Sequence, residues 1–166
     1  MIFNDGPIEG VVVTPFRKFQ DERGWLMEAF RHDELPQVSH PAMAYLSLTV
    51  PGVIRGPHEH VDQTDLFAWV GPGEFLLSLW DNRPGSATYG NRMELPMGAS
   101  HPGSVLVPPG VVHGYRCLGP EPGLVLNCPN RLFMGEGKRE PVDEIRHEAD
   151  PNNPFVLDEL ARRAKA

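Results

Sequence analysis

The apolar positions of this chain fall in short runs, each closed by turn residues. Val11 to Thr14, Trp25 to Arg31, Ala44 to Val50, Val53 to Arg55, Leu66 to Val70, Glu74 to Trp80, Ser104 to Val107, Gly114 to Cys117 and Gly123 to Asn127 read as strands. Between them stand Asp21-Glu22-Arg23-Gly24, Pro51-Gly52, Asp81 to Ser86 and Pro108-Pro109-Gly110. Gly71-Pro72-Gly73, set between two strand runs, predicts a hairpin. Trp69, Trp80, Phe67 and Phe75 fall in those runs as core residues. Helical signal is weak, because Pro36, Pro41, Pro51 and Pro57 interrupt the first third. Only Asp158 to Lys165 reads as a helix, acidic at its start and basic at its end, as the helix dipole prefers. The pattern predicts an all-β fold, an antiparallel sandwich or barrel. It occupies one domain, 1–166, with a barrel core over about 10–130 and a loop-rich tail with a short helix over 131–166.

Composition narrows the function classes. With 166 residues, 40% hydrophobic and 22% charged, the chain can bury a core without disulfides or a structural metal. Gly 17 and Pro 18 make up about a fifth of it, which suits strands and turns. A net charge of -7 leaves no basic footprint for duplex nucleic acid, although a local basic pocket for one phosphorylated ligand is compatible with it. No apolar run approaches the ~18 residues of a membrane helix, and Met1 to Gly10 lacks the charged and apolar regions of a signal peptide. A cytoplasmic location is the expectation, with Cys117 and Cys128 reduced and buried.

The chemistry concentrates in Arg55-Gly56-Pro57-His58-Glu59-His60. Strand residues two apart share a face, so His58 and His60 converge if that face lines a barrel lumen. Some fifty residues later, Pro108-Pro109-Gly110-Val111-Val112-His113 feeds a third imidazole into another strand. With Gln63 or Asp65 between them, this is the spacing of a mononuclear site for zinc, iron, nickel or manganese. The plainer reading of each His is a core or loop histidine satisfied by neighbours. For Arg23 and Arg55 it is a surface ion pair, for Tyr115 core packing, and for Asp65 the capping of a turn. Gly135-x-Gly137-Lys138-Arg139 lacks the strand-loop-helix context of a phosphate loop and reads instead as an ordered basic loop at the pocket mouth.

The spacing of His58, His60, Gly71, Gly103, Pro108, Gly110 and His113 resembles the two cupin motifs. More specifically, the chain resembles the dTDP-4-dehydrorhamnose 3,5-epimerase (RmlC-like) family of cupins. The blocks are Asp21-x-Arg23-Gly24-Trp25, Gly52-Val53-Ile54-Arg55-Gly56-x-His58, Asp81-x-Arg83 with Ser86-x-Thr88-Tyr89-Gly90, Val107-Pro108-x-Gly110-x-x-His113-Gly114-Tyr115, and Glu144-Ile145-Arg146 near Asp150-Pro151. The resemblance implies a cupin, jelly-roll, double-stranded β-barrel and a homodimer. It implies an isomerase acting on a nucleotide-linked 4-keto-6-deoxy sugar. A His removes a proton beside the ketone to give an enolate, and a Tyr on the opposite ring face returns one with inversion. His58 matches the base, Arg23 and Arg55 match the substrate- and diphosphate-holding arginines, and His113 and Tyr115 line the pocket. No cofactor is expected in that mechanism.

The chain departs from this pattern. The family's Tyr falls near Asn130 to Phe133, where Phe133 is the closest aromatic, and its active-site Lys falls near Asp65. The family's His-paired Asp lies in a tail that is shortened here, with Asp150 and Asp158 as candidates. These losses frame two alternatives. One is a metal-dependent cupin enzyme holding a divalent ion on His58, His60, Asp65 and His113, the ion replacing the Lys at the enolate oxygen. The other is a sugar-nucleotide-binding cupin that has lost its acid.

Overall fold

A computed structural model describes residues 2–157. Two sheets carry the fold. The first has six strands in the order β1-β9-β8-β11-β6-β13, formed by β1 Asn4–Asp5, β9 Asn91–Gly98, β8 Glu74–Asp81, β11 Val111–Leu118, β6 Ile54–Glu59 and β13 Ile145–Arg146. The second has five strands in the order β2-β10-β7-β12-β5, formed by β2 Val12–Pro15, β10 Gly103–Val107, β7 Asp65–Trp69, β12 Gly123–Asn127 and β5 Tyr45–Thr49. A separate hairpin pairs β3 Phe19–Asp21 with β4 Gly24–Leu26. The main core draws Phe67, Trp69, Val105 and Val125 from one sheet and Phe75, Leu77, Leu79 and Tyr115 from the other. Trp80 seals a second cluster with Val112, Phe155 and Leu157. This is the two-sheet all-β fold expected from the strand pattern, and the jelly-roll barrel that the resemblance implied. Cys117 and Cys128 are free and buried.

Two expectations change, and one long strand was missed. Gly71-Pro72-Gly73 does not close a hairpin: β7 pairs with β10 and β12, while β8 pairs with β9 and β11, so the turn carries the chain from one sheet to the other. All five residues of β7 are buried, and such a strand needs partners on both edges rather than its sequence neighbour alone. The run from Trp25 stops as a strand at Leu26. β9 was not anticipated, because Arg92, Glu94 and Pro96 interrupt it. Yet Met93, Leu95 and Met97 recur at period two toward the core. Pro96 lies beyond the two residues that β1 covers, where an edge tolerates a missing N–H. Helix among the described residues is limited to four short 3-10 turns, and the expected helix at Asp158 to Lys165 lies outside them. No helix among the described residues is long and apolar enough to cross a membrane.

Candidate active site

The His motifs meet because β6 and β11 are antiparallel neighbours in which His113 stands directly opposite His58. Their rings lie 4.5 Å apart, nearly perpendicular. Gly56 allows this approach. Its φ is +86°, and a Cβ there would sit 2.6 Å from the His113 carbonyl oxygen, beside the register shift between His113 and Tyr115. His60, just past β6, brings its ring to 5.8 Å from both others. One ligand-capable atom from each of the three lies within 4.8 Å of the other two.

Asp65 reaches the cluster from the opposite sheet, fully buried at the start of β7. Its Oδ1 accepts from Gln63 Nε2 at 2.9 Å and from Asn127 Nδ2 at 2.9 Å. Its Oδ2 is 3.1 Å from His60 Nε2 and 3.2 Å from His113 Nε2. Asp65 Oδ2 and His113 Nε2 nonetheless have no partner in hydrogen-bonding geometry. Burial raises the Asp65 carboxyl, but His113 and His60 outweigh that and hold it well below the usual carboxylate range. Backbone carbonyls fix two of the rings: Nδ1 of His113 donates to Val111 O at 3.0 Å, and Nδ1 of His60 donates to Asp143 O. A carbonyl only accepts, so each Nδ1 carries the proton and each Nε2 faces Asp65. For His60, burial opposes the charged form, but Asp65 and the Asp143 carbonyl raise its pKa above the ordinary value.

His58 behaves differently. Burial, followed by the adjoining His113 and His60, pushes its pKa far below the ordinary histidine value, so at neutral pH it holds a free lone pair. The tail strand β13 pairs with β6 and sets Arg146 opposite His58. That places Glu144 Oε1 3.7 Å from His58 Nδ1, while Glu144 Oε2 accepts from Arg146 Nε at 2.7 Å. Of the carboxylates expected beside His58, Asp150 is exposed and caps its own turn at Asn152, and Asp158 lies outside the described residues. Glu144 stands beside His58 instead. Its block was recognisable in the sequence, but no spacing rule links positions 58 and 144.

A cavity of about 1280 Å³ opens over His58 and His60, walled by Arg55, Phe67, Tyr115 and the segment 129–148. Arg55 is braced by Thr49 Oγ1 at 2.9 Å and Leu48 O at 3.1 Å. Tyr115 lines the cavity with its hydroxyl engaged by Ser47 Oγ at 3.0 Å. Gly135 to Lys138 forms the expected loop at the mouth, and Phe133 stands half-exposed in the wall. Arg23 is not brought here: it sits on the β3–β4 hairpin, 85% exposed and paired with Asp21. Tyr45 is a cavity residue that sequence reasoning missed, because nothing local marks it apart from other strand aromatics.

A carbonyl compound in such a cavity would meet a neutral imidazole backed by a carboxylate, with a fixed arginine nearby. This is the equipment for removing a proton beside a ketone. Comparisons with known proteins define its class, the sugar-nucleotide epimerases. Residues 5–139 match the dTDP-4-dehydrorhamnose 3,5-epimerase family, and the chain belongs to it. It is 40% identical over 141 residues to the spore coat polysaccharide biosynthesis protein SpsL of Bacillus subtilis, covering 82% of this chain and 91% of SpsL. It is 33% identical over 149 residues to the probable low-salt glycan biosynthesis epimerase Agl13 of Haloferax volcanii, covering 87% of this chain and 95% of that one. A dTDP sugar isomerase of Desulfovibrio desulfuricans superimposes with a TM-score of 0.76 at 28% identity, over 90% of this chain and 91% of that one.

Proposed function

We propose that this epimerase acts on a dTDP-4-keto-6-deoxy sugar, or a similar nucleotide-linked keto sugar, with His58 as the base. The observation that carries the reading is the His58 imidazole facing an open cavity, with Glu144 Oε1 3.7 Å from its Nδ1. His58 Nε2 takes the proton from the carbon beside the ketone, and the C–H electron pair passes to the carbonyl oxygen as an enolate. Glu144 stabilises the imidazolium so formed. Arg55 holds the diphosphate and Tyr115 lines the sugar site, whereas His113, expected to line it, is 1% exposed, turns its Nε2 to Asp65 and is not among the residues around the cavity. The reading places the enzyme in the cytoplasm, where charged nucleotide sugars remain with the nucleoside triphosphates they are made from. The test is deuterium wash-in from D₂O at C3 and C5 of dTDP-4-keto-6-deoxyglucose. Exchange is expected at one or both carbons. Binding without exchange on a panel of nucleotide keto sugars would leave a binding protein only.

The reading extends to a homodimer. Phe19, Trp25 and Leu26 of the β3–β4 hairpin are exposed, as are Leu46 and Leu48 of β5, an edge strand of its sheet. Arg23 rides on that hairpin, so in this reading it serves the cavity of the second copy. Sedimentation at micromolar concentration is expected to give twice the monomer mass. A fully active monomer would remove Arg23 from the site.

A second reading rests on the orphaned Asp65 Oδ2 and His113 Nε2. Two ligands at ~2.1 Å from one ion lie roughly 3.0–3.4 Å apart, and the separations at Asp65 are 3.1 and 3.2 Å. Nδ1–H bonds to carbonyls are also how ligating imidazoles are oriented. The donor set therefore fits a divalent cation on His60, His113 and Asp65, with His58 as a further ligand. Bound there, the ion would supply Lewis acidity toward a carbonyl oxygen. In this reading His58 cannot both ligate and accept a proton, so the two readings separate. Stoichiometric zinc, iron, nickel or manganese in protein purified without added metal, lost in His60→Ala together with a metal-dependent rise in Tm, is the outcome this reading expects. Metal-poor protein whose Tm ignores those ions would end it.

A further inference from the structure

An epimerase of this kind needs a proton donor across the sugar ring from its base, and the segment where the family's Tyr is expected offers only Phe133. We propose that Tyr45 is that donor. The inference rests on the proton-abstraction reading above and adds the residue that completes it.

The chain has three tyrosines. Tyr89 lies in the turn before β9, half-exposed and away from the cavity lining. Tyr115 is on β11, in the same sheet as His58 and on the strand paired with it, and its hydroxyl is engaged by Ser47. Tyr45 alone stands on the facing five-stranded sheet, at the start of β5, and it lines the same cavity as His58. Base and hydroxyl thus come from opposite walls, as inversion at carbon requires: one face loses the proton and the other receives it.

The hydroxyl is also oriented. Asn127, directly opposite Tyr45 in the β12–β5 pairing, donates from Nδ2 to the Tyr45 oxygen at 2.8 Å. The same amide nitrogen has a second hydrogen, which it gives to Asp65 Oδ1 at 2.9 Å. Asn127 is itself buried, so this bridge is rigid. Accepting from Asn127 leaves the hydroxyl's own hydrogen free to point into the cavity. Burial, with the Asp65 charge nearby, raises the Tyr45 pKa to about 12, so the phenol is protonated at neutral pH. Lys138, which also lines the cavity, stands on the 136–138 turn of the mouth loop rather than on the facing sheet.

The step balances without a co-reactant. The enolate carbon takes the hydrogen of the Tyr45 O–H, and the O–H electron pair stays on oxygen as tyrosinate, stabilised by the Asn127 N–H. The C–O double bond re-forms as the enolate electrons close onto carbon. The solvent-open mouth returns a proton to Tyr45 and removes the one held by His58.

The experiment follows two readouts on dTDP-4-keto-6-deoxyglucose in D₂O: deuterium entering recovered, unepimerised substrate, and formation of epimer. In Tyr45→Phe, epimer formation is expected to fall at least a hundredfold while exchange into recovered substrate stays within a few-fold of wild type, because His58 still enolises and reprotonates the same face. An unchanged thermal midpoint will confirm the fold. Wild-type epimer formation in Tyr45→Phe would overturn the assignment. So would a parallel loss of exchange, which would make Tyr45 a binding or structural residue. A fall in the epimer-to-exchange ratio in Tyr115→Phe but not in Tyr45→Phe would give the role to the other tyrosine. Failure of the underlying reading is distinct, since wild-type protein would then show no exchange at all.

Discussion

In His58→Asn, solvent exchange at the carbons beside the ketone is expected to fall roughly 10³-fold or more, with dTDP binding retained. A positioned base contributes about 10²–10⁴ in rate. The neighbouring imidazoles are not placed to take over: His113 Nδ1 is committed to Val111 O, and His60 Nδ1 to Asp143 O. Their Nε2 atoms face Asp65 rather than the open cavity. Asparagine keeps a polar group of similar reach but cannot hold a proton beside Glu144. Arg55 keeps its bracing by Thr49 and Leu48 in this variant, which is why binding should survive. Isotope exchange by NMR, paired with calorimetric titration of dTDP, checks both halves. Exchange within tenfold of wild type would take the base role from His58.

Asp65→Ala is expected to cost about 3–5 kcal/mol of folding stability, the range for removing one member of a buried charged cluster. In a chain of this size that lowers Tm by roughly 10 °C. The carboxylate is 1% exposed and receives Gln63 and Asn127 on Oδ1, with two imidazoles against Oδ2. Alanine would leave those buried donors facing a void too apolar to solvate them. It would also release Asn127 from one end of its bridge, loosening Tyr45. Thermal or urea unfolding reads the effect, and a loss below 1 kcal/mol would show that the cluster is solvated rather than sealed.

Some of the site was readable from local pattern. His58 and His60 share a face because a strand repeats every two residues, and the Pro-x-Gly turn announced a third imidazole at His113. Arg55 followed from the family resemblance of the block Gly52-Val53-Ile54-Arg55-Gly56-x-His58. The partners of these residues were not readable. Glu144 reaches His58 only because β13 adds to the edge of β6, some ninety residues on. Asn127 and Tyr45 meet through β12 and β5, and Asp65 meets the imidazoles across the barrel. Arg23 carried the family signature yet stands outside its own cavity, because β3 and β4 pair with each other and with neither main sheet.

The sequence by itself determined that the chain is all-β, where most strands lie, and which imidazoles gather, since these depend on turn residues and a two-residue period acting over a few positions. Only the tertiary structure decided that β7 and β8 belong to different sheets, which carboxylate stands beside which histidine, and which tyrosine lines the cavity from the sheet facing His58. Those outcomes depend on how distant strands choose partners to bury both faces of β7 and to close the barrel, and no short-range periodicity encodes that choice.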